Sequence, residues 1–462
     1  MAFFLIRFFM SDAIVQSTSS DSSLGSSVRR SVNNHPPGLF LLFSIEMWER
    51  MSFYGMRALL VLYMTDVTRG GFGMSRAQAL SLYGWYGGLV YFTPLIGGWL
   101  ADRYLGQRKS VLIGGLLMML GHFLLALPGV FLFYAALLCI IIGNGFFKPN
   151  VSTMVGSLYQ ADDPRRDGAY TLFYMGINVG SALAPIVCGT LGERVGFHYG
   201  FGAAGVGMML GLVSYLTLAP RFLGTIGMRP AQPKRIKQDL ASLENNLTSV
   251  EKDRLWAAVV LCATAIVFFA AFEQTGGLMN LYTNEKVDRM LFGFEVPTTW
   301  FQALNPVFII ALSPLFSLLW TYLGRRKQDL SIPRKMALGL ILVGLGFVAM
   351  MGAVQQSQSS GKAHMLWLVL AYFFHSVGEL LISPIGLSMV TKLSPHKWVG
   401  LMMGYWFVNT AIAEKLAGSI GATVDKWGEM QIFTAIAYVC CLVGIMFWFA
   451  NRRILRYMHG IH

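Results

Sequence analysis

Apolar runs of about 20 residues recur along the whole chain, each ended by a short polar patch, and this constrains the fold more than any other feature. A run of that length crosses a bilayer as a helix. Lipid offers no hydrogen bonds to a bare backbone, so only helices and closed barrels can span it. A barrel would show alternating segments of about 10 residues, and these are absent. Composition agrees: hydrophobic residues are 55% and charged residues 13% of the chain, against roughly a quarter charged in a soluble domain. The expectation is an all-α membrane protein.

Twelve spans are expected, at 38–66, 78–101, 109–127, 129–150, 168–192, 198–219, 255–283, 298–323, 334–354, 365–390, 398–422 and 430–451. Short connections between them suit antiparallel neighbours. One long polar interruption, 220–254, contains KRIKQDLASLENNLTSVEKDR and divides the spans six and six. The chain therefore reads as a Ser-rich, disordered N-terminus (1–37), an N-terminal six-helix bundle (38–219), a linker (220–254), a C-terminal six-helix bundle (255–451) and a tail (452–462). With the N-terminus inside, the inside segments and their helix ends hold 25 Lys and Arg, and the outside segments hold 7. That asymmetry puts both termini in the cytoplasm. MAFFLIRFFM at the start is too short to span and lacks a small-residue cleavage site, so no signal peptide is expected, and Met10 is an alternative initiator.

The net charge of +13 is explained by these cytoplasmic loops and does not call for a nucleic-acid partner. Cys139, Cys188, Cys262, Cys440 and Cys441 lie in apolar spans without metal-ligand spacing. His122, His198, His364, His375 and His396 form no nucleophile–base or metal pattern, so neither an enzyme nor a metal protein is expected.

Nine ionisable residues fall inside the spans: Glu46, Glu49, Arg50, Arg57, Lys148, Glu273, Glu379, Glu414 and Lys415. Each costs at least about 2.5–3.5 kcal/mol at mid-membrane unless paired or hydrated, so they mark a pathway through the protein. On the first span, positions 46, 49, 50, 53, 54 and 57 share an arc of about 140°. Glu46 and Arg50, four apart, are placed to pair directly. Lys148 ends span 4 beside Pro149, in a helix loosened by Gly143 and Gly145.

Six plus six spans around a cytoplasmic loop resemble the plan of a major-facilitator transporter, whose halves rock about a midplane site. GGWLADRYLGQRK resembles that superfamily's Gly-x-x-x-Asp-Arg-x-x-Gly-x-Arg-Lys motif, which gives Asp102 and Arg103 a gating role. More specifically, EMWERMSFYG resembles the Glu-x-x-Glu-Arg-Phe-x-Tyr-Tyr signature of proton-dependent oligopeptide transporters. GNGFFKPNVS, FYMGINVGSALAP, FQALNP and GELLISPIGLSMV resemble that family's blocks on spans 4, 5, 8 and 10, in order. Two positions depart from the signature: Met51 replaces its Phe, and Phe53 replaces its first Tyr, removing a hydroxyl. The 35-residue interruption is also too short for the two extra helices of many bacterial relatives, so twelve spans are expected and not fourteen.

The resemblance implies a proton-coupled symporter importing di- and tripeptides by alternating access. The alternative is the same fold carrying another small solute such as nitrate. A peptide is a zwitterion, and the spans offer both poles: Arg50, Arg57 and Lys148 for its carboxylate, Glu379 for its ammonium. By resemblance, Asn178 and Asn305 bond the ammonium or backbone, Tyr54, Tyr91 and Tyr174 line the cavity, and Trp406 forms a side-chain pocket. Glu46, Glu49 and, by resemblance, Glu273 carry the proton, the only coupling species; no cofactor is implied. The expected partners are di- and tripeptides, protons and membrane lipid, and the expected form is a monomer in a bacterial inner membrane. Glu414 and Lys415 match no family position and receive no role.

Overall fold

The computed structural model describes residues 35–160, 163–230, 247–326, 328–395 and 398–461. The disordered terminus expected at 1–37 lies almost wholly outside them, as do most of the linker's basic stretch and His396.

Twelve long helices account for nearly all of the described chain. In the first half they are α1 (Pro37–Thr65), α2 (Arg76–Leu100, prolonged by a π-helical turn Ala101–Leu105), α3 (Gln107–Leu125), α4 (Val130–Ser157), α5 (Arg165–Arg194, with a π-helical turn at Pro185–Gly189) and α6 (Phe197–Phe222). In the second half come α7 (Ser249–Lys286, passing through a 3₁₀ turn at Glu273–Thr275) and α8 (Thr298–Arg325, starting in a 3₁₀ turn), then α9 (Ile332–Ser360), α10 (Leu366–Leu393), α11 (Val399–Gly421) and α12 (Val424–Met458). Nine of them are long and apolar enough to cross a membrane by length and composition. The other three are α1, α2 and α11: α1 and α11 hold six of the nine intramembrane charges, and α2 is diluted by glycine, tyrosine and tryptophan. The fold is the expected one of two six-helix bundles.

Several helices differ from their expected ends by a few residues, for local reasons. α7 begins at Ser249, well before 255, because Thr248 and Glu251 form a reciprocal capping box. α12 begins at Val424 and kinks at Gly428, whose φ of 75° suits glycine alone. Pro94, Pro149, Pro314 and Pro384 lie inside α2, α4, α8 and α10, where each removes a backbone hydrogen bond and permits a bend.

Twelve alternating helices bring both termini to one face, here called the basic face. At the opposite face the bundles are closely joined. Arg76 at the start of α2 reaches Glu429 (2.7 Å), Glu285 (3.6 Å) and Asp425 (4.0 Å) of the second bundle. The Glu193 carboxylate at the end of α5 accepts the Thr298 and Thr299 backbone N–H groups (both 2.8 Å) and the Thr299 hydroxyl (2.7 Å), capping the start of α8. Asn280 donates to the Ala58 carbonyl at 2.9 Å, and Trp300 Nε1 donates to Thr190 Oγ1 at 2.8 Å.

Close helix packing between the bundles is made by α2 with α11 and by α5 with α8. At the α2–α11 crossing the backbones touch: a Cβ on Gly418 would lie 2.5 Å from Gly84 Cα. α4 and α10, which carry Lys148 and Glu379, make no comparable packing across the interface. Their charged side chains therefore face the space between the bundles.

Overpacking a tight interface costs about 1–3 kcal/mol. Gly418→Val is expected to lower the melting temperature in detergent clearly. Gly400→Val, at a helical glycine with no neighbour within 4 Å of an added Cβ, is expected to leave it nearly unchanged.

Candidate functional site

The wall of α1 is built as its helical arc predicts, but its pairing differs in detail. Glu49, not Glu46, is the main partner of Arg50: the guanidinium donates to both Glu49 carboxylate oxygens, at 2.5 and 2.7 Å. Glu46 stands further off, at 3.4 Å. Adjacent helical residues point about 100° apart and do not normally meet. Here two long side chains curl together because all three groups are buried and a two-pronged bond satisfies the fork of the guanidinium. Arg50 also reaches Asn144 Oδ1 of α4 at 3.4 Å, and the Asn144 amide is held by the Val90 carbonyl of α2 at 2.9 Å. The Phe53 and Tyr54 rings lie 5.2 and 5.8 Å from the guanidinium carbon.

Phe53 does not line an open cavity. It is 2% exposed and stacks on Tyr86, with ring centroids 6.4 Å apart. The hydroxyl it lacks belongs to the packing behind Arg50 and not to a solvent-facing wall.

Lys148 lies over the Tyr91 ring, with Nζ 4.2 Å from the centroid, and is half-buried. It sits within electrostatic reach of Glu46, Glu49 and Arg50, so the expected grouping of Arg50 with Lys148 is present in space. Across the interface, Asn305 of α8 donates to Glu379 Oε2 of α10 at 2.9 Å and to Ser376 at 3.1 Å. Tyr54 and Tyr174 face Glu379 from the first bundle. Asn178 donates to the Tyr174 carbonyl one turn back at 3.0 Å, while the Tyr174 ring remains 42% exposed. Trp406 is buried with its ring against Gly386 of α10, where a Cβ would lie 2.1 Å away.

Arg57 is placed differently from Arg50. Its Nε donates to the Tyr83 hydroxyl at 2.6 Å, and one terminal nitrogen bonds Glu273 of α7. The same nitrogen faces both Glu414 oxygens of α11, at 3.3 and 3.4 Å. The expected grouping of Arg57 with the carboxylate pole therefore meets a guanidinium already taken by two acids and a phenol. Sequence reasoning gives Glu414 no role and does not name Tyr83. The first had a signal, an acid inside an apolar helix; the second had none, since α2 carries four tyrosines.

Asp102 and Arg103 fall in the π-helical turn that ends α2, both exposed. Arg103 rests on the Trp99 and Tyr104 rings, at 5.7 and 5.6 Å. Gly106, the motif's second glycine, has a φ of 78° and would place a Cβ 3.0 Å from the Gly227 carbonyl, which explains the glycine there. His375 is wholly buried between Phe347 and Phe272 and serves packing. Among the described residues no group of three His, Cys, Asp or Glu side chains is placed to hold a metal ion.

A family model described as the POT family matches residues 108–223 and 232–436. The chain belongs to the POT family. It is 37% identical over 492 residues to an uncharacterized transporter, YclF, of Bacillus subtilis (strain 168), covering 96% of this chain and 99% of that protein. It is 35% identical to a di-/tripeptide transporter of Lactococcus lactis subsp. cremoris, covering 92% of this chain and 97% of the other. The crystal structure of a peptide transporter POT in complex with sulfate superposes with a TM-score of 0.85 at 37% identity, over 92% of this chain and 96% of that one. POT proteins are transporters, and this member is an integral membrane protein with the family's fold.

Breaking one partner of a buried ion pair costs about 3–5 kcal/mol, whereas removing both costs less. Arg50→Ala is expected to destabilise the protein by that order, and Glu49→Ala/Arg50→Ala by less than the two single changes together. Chemical denaturation of the three variants checks this.

Proposed function

We propose that this POT protein is a proton-coupled symporter that imports di- and tripeptides by alternating access. The observation that carries the reading is a pair of opposite poles, one on each bundle: Arg50 with Lys148 on α1 and α4, and Glu379 with Asn305 on α8 and α10. A zwitterion with a fixed backbone fits such a pair. Nitrate or another small anion would leave Glu379 facing it unpaired, a costly arrangement in a desolvated cavity. The names of the relatives agree with a peptide substrate.

The peptide carboxylate docks at Arg50 and Lys148, and the ammonium docks at Glu379 and Asn305. Asn178, Tyr54, Tyr91 and Tyr174 bond or flank the backbone, and Trp406 with Gly386 shapes a side-chain pocket. Because one substrate contacts both bundles, its binding energy favours their approach on the basic face. Arg57, held by Tyr83, Glu273 and Glu414, closes the opposite face and leaves substrate carboxylate binding to Arg50 and Lys148. Asp102 and Arg103 lie at the basic face, where a gate between the bundles would form.

Proton coupling follows from competition for Arg50. The guanidinium is bonded to Glu49 through both of its carboxylate oxygens. A substrate carboxylate that takes over one prong leaves Glu49 and Glu46 as buried acids short of a cation. Each then accepts a proton more readily. Glu273 provides the second acid of the cycle, coupled to closure through Arg57. No cofactor besides the proton is required, and the site is complete within one chain, so a monomer suffices. The excess of basic residues at the face carrying both termini supports assigning that face to the cytoplasmic side of a bacterial inner membrane.

Labelled dialanine is expected to accumulate in proteoliposomes when the outside is acidic and to equilibrate without accumulating when no gradient is applied. Folded protein that moves no dialanine under either condition refutes the proposal. Glu379→Gln is expected to weaken dialanine binding by about thirtyfold or more, the order seen when one partner of a buried charge pair is lost. It should leave the binding of N-acetyl-dialanine nearly unchanged, since that ligand has no ammonium; competition binding reads both.

A further inference from the structure

Outside the substrate poles, one buried acid among the described residues is not used as a proton carrier in the cycle above. Glu414 on α11 is 1% exposed, and its oxygens face Arg57 at 3.3 and 3.4 Å. Glu273 bonds the same guanidinium more closely. The Glu414 carboxyl is also within hydrogen-bonding reach of the Glu273 carboxyl itself. Two ionised carboxylates are both acceptors and cannot bond each other; a carboxyl–carboxylate pair can, through one shared proton.

The surrounding charges make the same point. Facing Glu414 are Arg57 from α1, Glu273 from α7 and the neutral phenols Tyr83, Tyr86 and Tyr91 from α2, with Lys148 of α4 further away. Lys148 is engaged over Tyr91 and faces Glu46 and Glu49 as well. Lys415, next in sequence to Glu414, turns away to Ser419 Oγ at 3.0 Å and to the Trp85 ring. The first charge cluster thus balances, with Glu46 and Glu49 against Arg50 and Lys148. The second has two acids against Arg57 alone. A buried, unbalanced negative charge costs several kcal/mol, and one proton removes it. The site is also shaped for the acid: a Cβ on Gly87 would fall 2.5 Å from Glu414 Oε2, so the glycine makes its room.

We propose that Glu414 holds a proton while the outward face is closed, so that closing this face takes up one proton and not merely an ion pair. The inference rests on the reading of the protein as a proton-coupled peptide symporter. Opening the face parts α11 from α1, separates Glu414 from Glu273 and hydrates both. The shared proton is then free to leave. Glu273, with the closer bond to Arg57, keeps the ionised role, and Glu414 takes the protonated one.

The test uses full-length protein in proteoliposomes, with equal pH on both sides and labelled dialanine counterflow followed from acid to neutral pH. Wild-type exchange is expected to fall as pH rises. Glu414→Gln, a permanent mimic of the protonated acid, is expected to retain exchange with a shallower pH slope, and Glu414→Asp to restore the wild-type slope. A Glu414→Gln slope equal to wild type overturns the inference. Wild-type protein that exchanges no dialanine at any pH overturns the substrate reading instead. Infrared difference spectra give a readout independent of transport, and of whether Glu414→Gln folds. A protonated-carboxyl stretch at neutral pH should be present in wild type, shifted in Glu414→Asp and diminished in Glu414→Gln. A wild-type spectrum with no such stretch, or one that neither change affects, also overturns the inference.

Discussion

The guanidinium of Arg57 belongs to α1, yet it bonds Glu273 of α7 and faces Glu414 of α11, while its Nε holds the Tyr83 hydroxyl of α2. One buried cation therefore links four helices and both bundles. The Glu193 cap on α8, the Arg76 cluster and the Gly84–Gly418 crossing also join the two bundles. In hydrocarbon such an assembly would be prohibitive. It exists because the cation and its partners are held together inside the protein, and the same dependence makes the assembly reversible. Whatever hydrates the guanidinium or removes its ionised partner weakens the whole contact.

The binding region uses the same chemistry with the opposite consequence. Arg50 is satisfied by Glu49 from within the protein. That satisfaction is exchangeable, because a peptide carboxylate offers the same two-oxygen geometry as the side chain it displaces. Exchange of like for like keeps the energy of binding modest and leaves a proton acceptor behind. In the proposed symport cycle, substrate recognition and proton uptake are two views of one substitution at one guanidinium.

Much of this is legible in the sequence. Twelve spans, their six-and-six division and the charged arc of α1 all follow from hydrophobic periodicity, which acts over a few turns and is written locally. Partner identities were less accessible. Glu46 is placed to pair with Arg50 by spacing, but the adjacent Glu49 wins because burial rewards a two-pronged bond that helical geometry alone disfavours. Arg57 lies on the same face as Arg50, yet a difference of two turns carries it from the cavity to the closed side. Its partners come from residues 83, 273 and 414, and no local pattern links such distant positions. Trp406 against Gly386, and Phe53 against Tyr86, are likewise contacts between helices that only packing reveals.

The backbone contact between Gly84 and Gly418 has a consequence of another kind. Where two helices meet without side chains, nothing at the contact can adjust its rotamer, and the crossing acts as a hard stop. Bundles that pivot against a hard stop return to one spacing each time. The gap between Arg50 on one bundle and Glu379 on the other is then set as by a calliper, through backbone geometry remote from the ligand. Discrimination by peptide length would in that case reside in two glycines that never touch a peptide.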